Sequence, residues 1–288
     1  MLTTNQYCCR QFGEKLYKLS LSAGFTCPNR DGTLDTRGCI FCSSGGSGDF
    51  APGTEIPISC QIEEAKTLVA SKFRGNRYIA YFQAFTNTYG PIEKMRKIYS
   101  EVLARDDISV LSIATRPDCL GGEVMKLLKE LAQKKPLWVE LGLQTIKQES
   151  IKYIRRGYDT EVYNIAVSEI KSIGAHCISH VILGLPGEST DDMLRTVDHV
   201  VRTGSDGIKL QLLHVLEGTD LAVDYKNGLF DTLSMEEYIS IVKKCLERLP
   251  DDMVVHRITG DGPKKDLISP LWSADKKRVL NYLNQHLC

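Results

Sequence analysis

The sequence predicts an α/β fold in which a parallel sheet curls into an incompletely closed barrel, and three observations predict it. From about residue 60, amphipathic helical stretches alternate with short β-branched or apolar runs, the pattern of consecutive βα units. The 288 residues have the length of one large barrel-like domain or of two small ones. Several strand-like runs also carry polar side chains along one face, where a strand packed only within a core would be apolar on both.

KLYKLSLS (15–22) reads as the first strand, and a long loop bearing cysteines and glycines follows it. A helix near 60–74, strand 77–84, helix 91–105, strand 108–115, helix 121–134 and strand 137–144 come next. Helices 146–155 and 160–173, strand 176–183, helix 189–203 and strand 206–213 complete six strand–helix units. Helix 234–248 leads to a seventh apolar run, MVVHRIT (253–259), and a tail rich in proline and lysine ends in a helix at 273–286. The expected organisation is a barrel over 1–250, with a loop at 24–50 as its special feature, and a C-terminal extension over 251–288 packed on it.

Side chains alternate across a strand, so LWVELGLQ puts Val139, Leu141 and Leu143 on one face and Trp138, Glu140, Gly142 and Gln144 on the other. His180 and Ile182 share a face of the strand at 176–184, and Lys209 and Gln211 share one in the last unit. Several strands therefore offer polar groups to one lumen. The competing reading is a buried Glu140–Lys209 ion pair of structural value only.

With 42% hydrophobic and 25% charged residues, the chain is neither disordered nor low-complexity. Thirty-six basic residues cancel thirty-six acidic ones, so no overall field draws it to nucleic acid or a membrane, and RNA contact would need a local patch. The first residues have no signal-peptide pattern, and no apolar run nears the roughly 18 residues of a membrane span, so a cytoplasmic protein is expected. In that setting ten cysteines point to metal binding or catalysis more than to disulfides.

Cys27, Cys39 and Cys42 form a C-x11-C-x2-C pattern in the loop after the first strand. Structural zinc wants four ligands, and neither Cys8 and Cys9 before the strand nor the six distant histidines supplies an evident local fourth. An electron-transfer iron–sulfur cluster also wants four thiolates, whereas three leave one iron open to a substrate or cofactor. A zinc site completed by a distant residue stays open on spacing alone. Position favours the cluster, because the loop follows a barrel strand at the face where such folds build active sites. The glycines at 45, 46 and 48 match neither a dinucleotide fingerprint nor a phosphate loop.

GFTCPNRDG followed by GCIFC, with YFQAFTNTY (81–89), ATRPDC (114–119), ELGLQT (140–145), SHVILGLPGE (179–188), GIKLQLLH (207–214) and HRITGDGP (256–263), resembles the radical S-adenosylmethionine (SAM) superfamily. More narrowly the chain is similar to the YhcC/YtqA (MnmL-like) group, related to the radical SAM domain of the Elongator catalytic subunit. The resemblance covers nearly the whole chain, and its first cysteine interval of eleven departs from the three of the commonest pattern. It implies a partial (β/α)6 TIM-type barrel with a C-terminal extension. It also implies one [4Fe-4S] cluster on Cys27, Cys39 and Cys42, whose fourth iron is chelated by SAM. Reductive cleavage of SAM then yields a 5′-deoxyadenosyl radical that abstracts a substrate hydrogen.

The resemblance further implies Phe41 near the adenine, Gln83 and Asn87 near the methionyl amine, Glu140 and Gln144 at the ribose or amine, and Ile182 and Gly184 against the adenine. Cys119, His180 and Lys209 are the candidates for work on the substrate, and an inert Cys119 and a hydrogen-bonded core His180 are the bland alternatives. Partners implied are SAM, an external one-electron reductant of flavodoxin or ferredoxin type, and tRNA, through Elongator-like kinship and wobble-uridine chemistry. Arg257, Lys264, Lys265, Lys276, Lys277 and Arg278 could meet its phosphates. A small molecule or a protein is the alternative substrate.

Overall fold

The computed structural model describes every residue except 47, 49, 50, 261 and 288, and leaves the side chains of 284, 286 and 287 undescribed. Parts of the 24–50 loop and of the 256–263 motif, and Cys288, thus lie outside the described residues. In chain order the elements are β1 (Leu2–Thr3), α1 (Thr4–Phe12), β2 (Tyr17–Leu21), α2 (Ile58–Val69), β3 (Tyr78–Phe82), α3 (Ile92–Leu103), β4 (Ile108–Thr115) and α4 (Gly122–Ala132). There follow β5 (Leu137–Gln144), α5 (Gln148–Tyr153), α6 (Thr160–Ser172), β6 (His176–Leu183), α7 (Thr190–Arg202), β7 (Gly207–Leu212), β8 (Val215–Leu216), α8 (Asp220–Lys226), α9 (Met235–Leu246), β9 (Val254–Arg257), β10 (Leu267–Ser269) and α10 (Lys276–Leu287).

Eight strands form one parallel sheet in the order β1-β9-β7-β6-β5-β4-β3-β2, curled into a half-barrel. β2 to β7 lie side by side in chain order, as successive right-handed βα units demand. The run 254–257 pairs beside β7 and carries β1 at the outer edge, while β8 and β10 form a separate antiparallel pair.

Alternation along the strands stacks the lumen in layers. The outward set Val139, Leu141 and Leu143 packs into the main core beneath the helices. Inward, the lowest layer is apolar: Ile79, Val110, Trp138 and Ile178 close on Cys8 of α1, with Tyr7 and Phe12 packed against them. Two residues further along the strands stand Tyr81, Ser112, Glu140 and His180, joined by Lys209, and two further still stand Gln83, Ala114, Gly142 and Ile182. α1 is therefore a plug for the closed end of the barrel. Its apolar signal is weak, since Cys8 is its one buried residue, but a capping box of Thr3 and Gln6 and a left-handed Gly13 (φ 78°) mark its ends in the sequence.

Candidate active site

The eleven residues between the first two cysteines fold back on themselves. The Leu34 amide donates to the Pro28 carbonyl at 2.8 Å and the Gly38 amide to the Asn29 carbonyl at 2.7 Å, which returns the chain to Cys39 beside Cys27. Cys42 then follows on a turn whose amide donates to the Cys39 carbonyl at 2.9 Å. Arg30 ties the loop's end, its Nη2 donating to the carbonyls of Cys42 (2.9 Å) and Ser43 (2.6 Å). The Ile40 carbonyl accepts from the Leu221 amide of α8 at 3.0 Å, so the loop is also pinned from outside.

All three thiols line one cavity of about 1490 Å³, its open mouth included, which runs from the loop down the lumen. Burial pushes the Cys39 thiol up to about 12, with the neighbouring Cys42 adding to the rise. A thiol held protonated in this way is a poor nucleophile. Among the described residues no three His, Cys, Asp or Glu side chains gather as a site for a metal ion.

The cavity wall also holds Phe41, Gln83, Glu140, Gln144, His180 and Ile182 from the sequence-derived set. Cys119, Asn87, Gly184 and Lys209 do not contribute to it. Asn87 is fully buried and its Nδ2 donates to the carbonyls of Phe82, Ala84 and Ala114 (3.0–3.1 Å), stapling the segment after β3 to β4. Gly184 (φ 90°) turns the chain after β6 where a Cβ would come within 2.9 Å of Leu233. Burial and Asp118 push the Cys119 thiol up to about 12.

Gln144 ends β5 in the left-handed region (φ 67°), with its Oε1 buried and without a partner. A non-glycine residue held there costs about 1–3 kcal/mol. Arg156 sustains it by donating Nη1 to the carbonyls on either side, Leu143 at 2.9 Å and Thr145 at 2.8 Å. The Arg156 guanidinium also lies over the Tyr158 ring at 4.6 Å, as does that of Arg116 at 4.9 Å. Sequence reasoning missed Arg156 and Tyr158, and the RRGY run at 155–158 was the available signal.

Below the mouth, Glu140 is a hub. Its Oε1 accepts from Lys18 Nζ at 2.9 Å and Ser112 Oγ at 2.8 Å, while Oε2 accepts from His180 Nε2 at 2.8 Å and from Lys209 Nζ. Lys209 also donates to the Tyr81 hydroxyl at 3.0 Å. Burial pushes Glu140 up, but the ammonium groups of Lys18 and Lys209 and the His180 bond outweigh it and hold the carboxyl well below its usual range. Both the ion pair and a lumen-facing carboxylate are thus present, and every hydrogen-bond position toward the strands is taken.

Burial, reinforced by the Lys209 charge, holds His180 down at about 4. Because Nε2 donates to Glu140, Nδ1 is left as the acceptor, with Gln211 Nε2 at 3.4 Å. In the unfolded chain a histidine titrates near 6.5, so between about pH 6.5 and 4 that state binds a proton the folded protein refuses. Stability is expected to fall as the pH drops through this window, half-buried His176 and His256 acting in the same direction. Urea unfolding from pH 7 to 5 should give a steeper slope for wild type than for His180→Gln, by up to about 1.4 kcal/mol per pH unit. Equal slopes would mean that His180 titrates normally.

A family model described as "Radical SAM superfamily" matches residues 35–200, and one described as "Radical_SAM C-terminal domain" matches 205–288. The chain is 44% identical to the protein YtqA of Bacillus subtilis (strain 168), over 99% of this chain and 88% of that one. It is 29% identical to the tRNA uridine(34) acetyltransferase of Methanocaldococcus jannaschii over 61% of this chain, spanning 33% of that enzyme. Among solved structures, archaeal Methanocaldococcus infernus Elp3 superposes with a TM-score of 0.68 at 17% identity, over 99% of this chain and 64% of that one. That likeness is one of fold.

Proposed function

The chain belongs to the radical SAM superfamily, a family of enzymes that use a [4Fe-4S] cluster and SAM, and from that premise we propose that Cys27, Cys39 and Cys42 hold its cluster and that the lumen beneath receives a group carried by tRNA. The observation that carries the reading is that Cys27, Cys39, Cys42 and Gln144 line one cavity, Gln144 with a buried Oε1 that lacks a partner. A buried acceptor left unsatisfied is costly, so a ligand's N–H or O–H is the partner it lacks. A cluster held by Cys27, Cys39 and Cys42 would, once reduced, supply the electron for reductive cleavage of SAM.

This chain's own residues have separate tasks. Cys27, Cys39 and Cys42 would hold the cluster through their thiolates. Gln144 accepts from the amine or a ribose hydroxyl of SAM, and Gln83 stands at the amine end. Phe41 and Ile182 offer an apolar bed for the adenine. His180, neutral and steered by Glu140, presents a hydrogen-bond acceptor to the substrate. Lys209 holds Glu140 in place by donating to its Oε2.

Support for tRNA comes from the similarity to tRNA uridine(34) acetyltransferase and from exposed Lys264 and Lys265, which directly follow cavity-lining Pro263. Phosphate contacts of this kind position a nucleic acid over a site. Two measurements test the two halves. Anaerobically reconstituted protein with dithionite should convert SAM to 5′-deoxyadenosine, and no product would refute the SAM reading. Mass spectrometry of tRNA nucleosides from a deletion strain should differ from the parent at a modified uridine, and an unchanged profile would remove tRNA while leaving the radical chemistry.

A further inference from the structure

Asn29, inside the loop's CPNRDG run, is only 2% exposed and held from both ends. Its backbone carbonyl accepts from the Gly38 amide at 2.7 Å, and its Nδ2 donates to the Arg155 carbonyl at 2.7 Å. The same nitrogen lies 3.4 Å from Cys39 Sγ. An amide nitrogen carries two hydrogens, so one serves each acceptor and neither is spare. The neighbouring backbone is shaped to allow this. Arg155 adopts a left-handed conformation (φ 57°), and at Gly157 (φ 81°) a Cβ would approach Asn29 Oδ1 to 3.2 Å. Strain of this kind persists where the surroundings over-determine it, and it clusters at functional sites.

Building on the cluster ligation proposed above, we infer that Asn29 is a positioning residue that sets the reduction potential of the cluster through an N–H···S bond to the Cys39 sulfur. A hydrogen bond to a ligating sulfur draws off part of its negative charge. The reduced cluster carries one more electron than the oxidised one, so it gains more from the bond, and reduction becomes easier. Hydrogen bonds to the sulfurs and solvent exposure are among the factors that set such potentials. Low exposure around Asn29 strengthens the effect, because the bond is not diluted by water. The electron must enter the cluster before the sulfonium can be split, so Asn29 eases the demand on the external reductant. Aspartate at this position has nearly the same shape, but when ionised it has no N–H and faces the sulfur with an oxygen and a negative charge.

The test is an anaerobic redox titration of the full reconstituted chain followed by electron paramagnetic resonance, with iron counted in each sample. Asn29→Asp is expected to make the reduction equilibrium at least about tenfold less favourable, a shift of about 59 mV to more negative potential for one electron. Asn29→Ala, which loses the bond without adding charge, should shift in the same direction by less. Wild-type and variant clusters of full iron content with the same midpoint would overturn the inference and leave the ligand assignment standing. Wild-type protein that takes up no iron would instead overturn the ligand assignment. If both variants lose the cluster, Asn29→Gln decides: a cluster near the wild-type potential supports the donor role, and a cluster lost in all three assigns Asn29 to folding alone and overturns the inference.

Discussion

Replacing Glu140 by glutamine is expected to lower the unfolding free energy by about 3–5 kcal/mol, because it leaves the buried ammonium of Lys209 and the half-buried one of Lys18 sharing a neutral amide. The carboxylate is fully buried and accepts from Lys18, Ser112, His180 and Lys209, reached from β2, β4, β6 and β7. An amide offers one acceptor oxygen where two stood, and its NH2 group faces cationic donors. Native domains are stable by about 5–15 kcal/mol in total, so the loss is a large fraction of the whole. With about 2.1 cal/mol/K of unfolding entropy per residue, it corresponds to a Tm lower by about 5–8 °C. A second substitution, Lys209→Met, should recover part of the loss by removing one of the stranded charges, as apolar replacement of buried ion pairs often does. Calorimetry of the two variants checks both statements. A Glu140→Gln protein as stable as wild type would mean that water reaches the hub and screens it.

Replacing Cys39 by alanine is expected to abolish cluster binding and, with it, reductive cleavage of SAM, a loss of at least about 10²-fold to background. Two thiolates cannot anchor three irons. The fold should survive, since among the described residues the Cys39 side chain bonds to Asn29 Nδ2 and, at 3.9 Å, to the Arg155 carbonyl. Cys60→Ala is the control, because that thiol is exposed on α2 and should leave iron content and turnover unchanged. Retained cleavage in the Cys39 variant would remove that residue from the ligand set.

The parts of this architecture governed by local periodicity were readable in the chain. LWVELGLQ alone separates the outward Val139, Leu141 and Leu143 from the lumen-facing Glu140 and Gln144, and the structure keeps that division. The strands at 108–115, 137–144 and 176–183 have the bounds their hydrophobic runs imply. What was not readable depends on register and on distant partners. Lys18 and Lys209 reach Glu140 across 122 and 69 residues, and no local pattern states which strand will stand beside which. MVVHRIT reads as a seventh apolar run, yet the seat of β9 between β1 and β7 follows from sheet order and not from composition. The helix at 4–12 escaped because plugging the barrel takes only one fully buried side chain from it, too few to make a periodic stripe. Within the loop, the cysteine spacing was legible, while the Arg30 tie and the Asn29 bond arise from turns that no motif encodes. Gln144 could be put in the lumen from alternation, but its left-handed backbone and orphaned oxygen could not be foreseen.

The Mössbauer spectrum of protein reconstituted anaerobically with ⁵⁷Fe, recorded before and after SAM is added, bears most directly on the three-thiolate site. About four irons per chain are predicted, of which one changes its signal when SAM binds and the other three do not. A single tetrahedral zinc with no iron uptake, or four irons none of which responds to SAM, would contradict it.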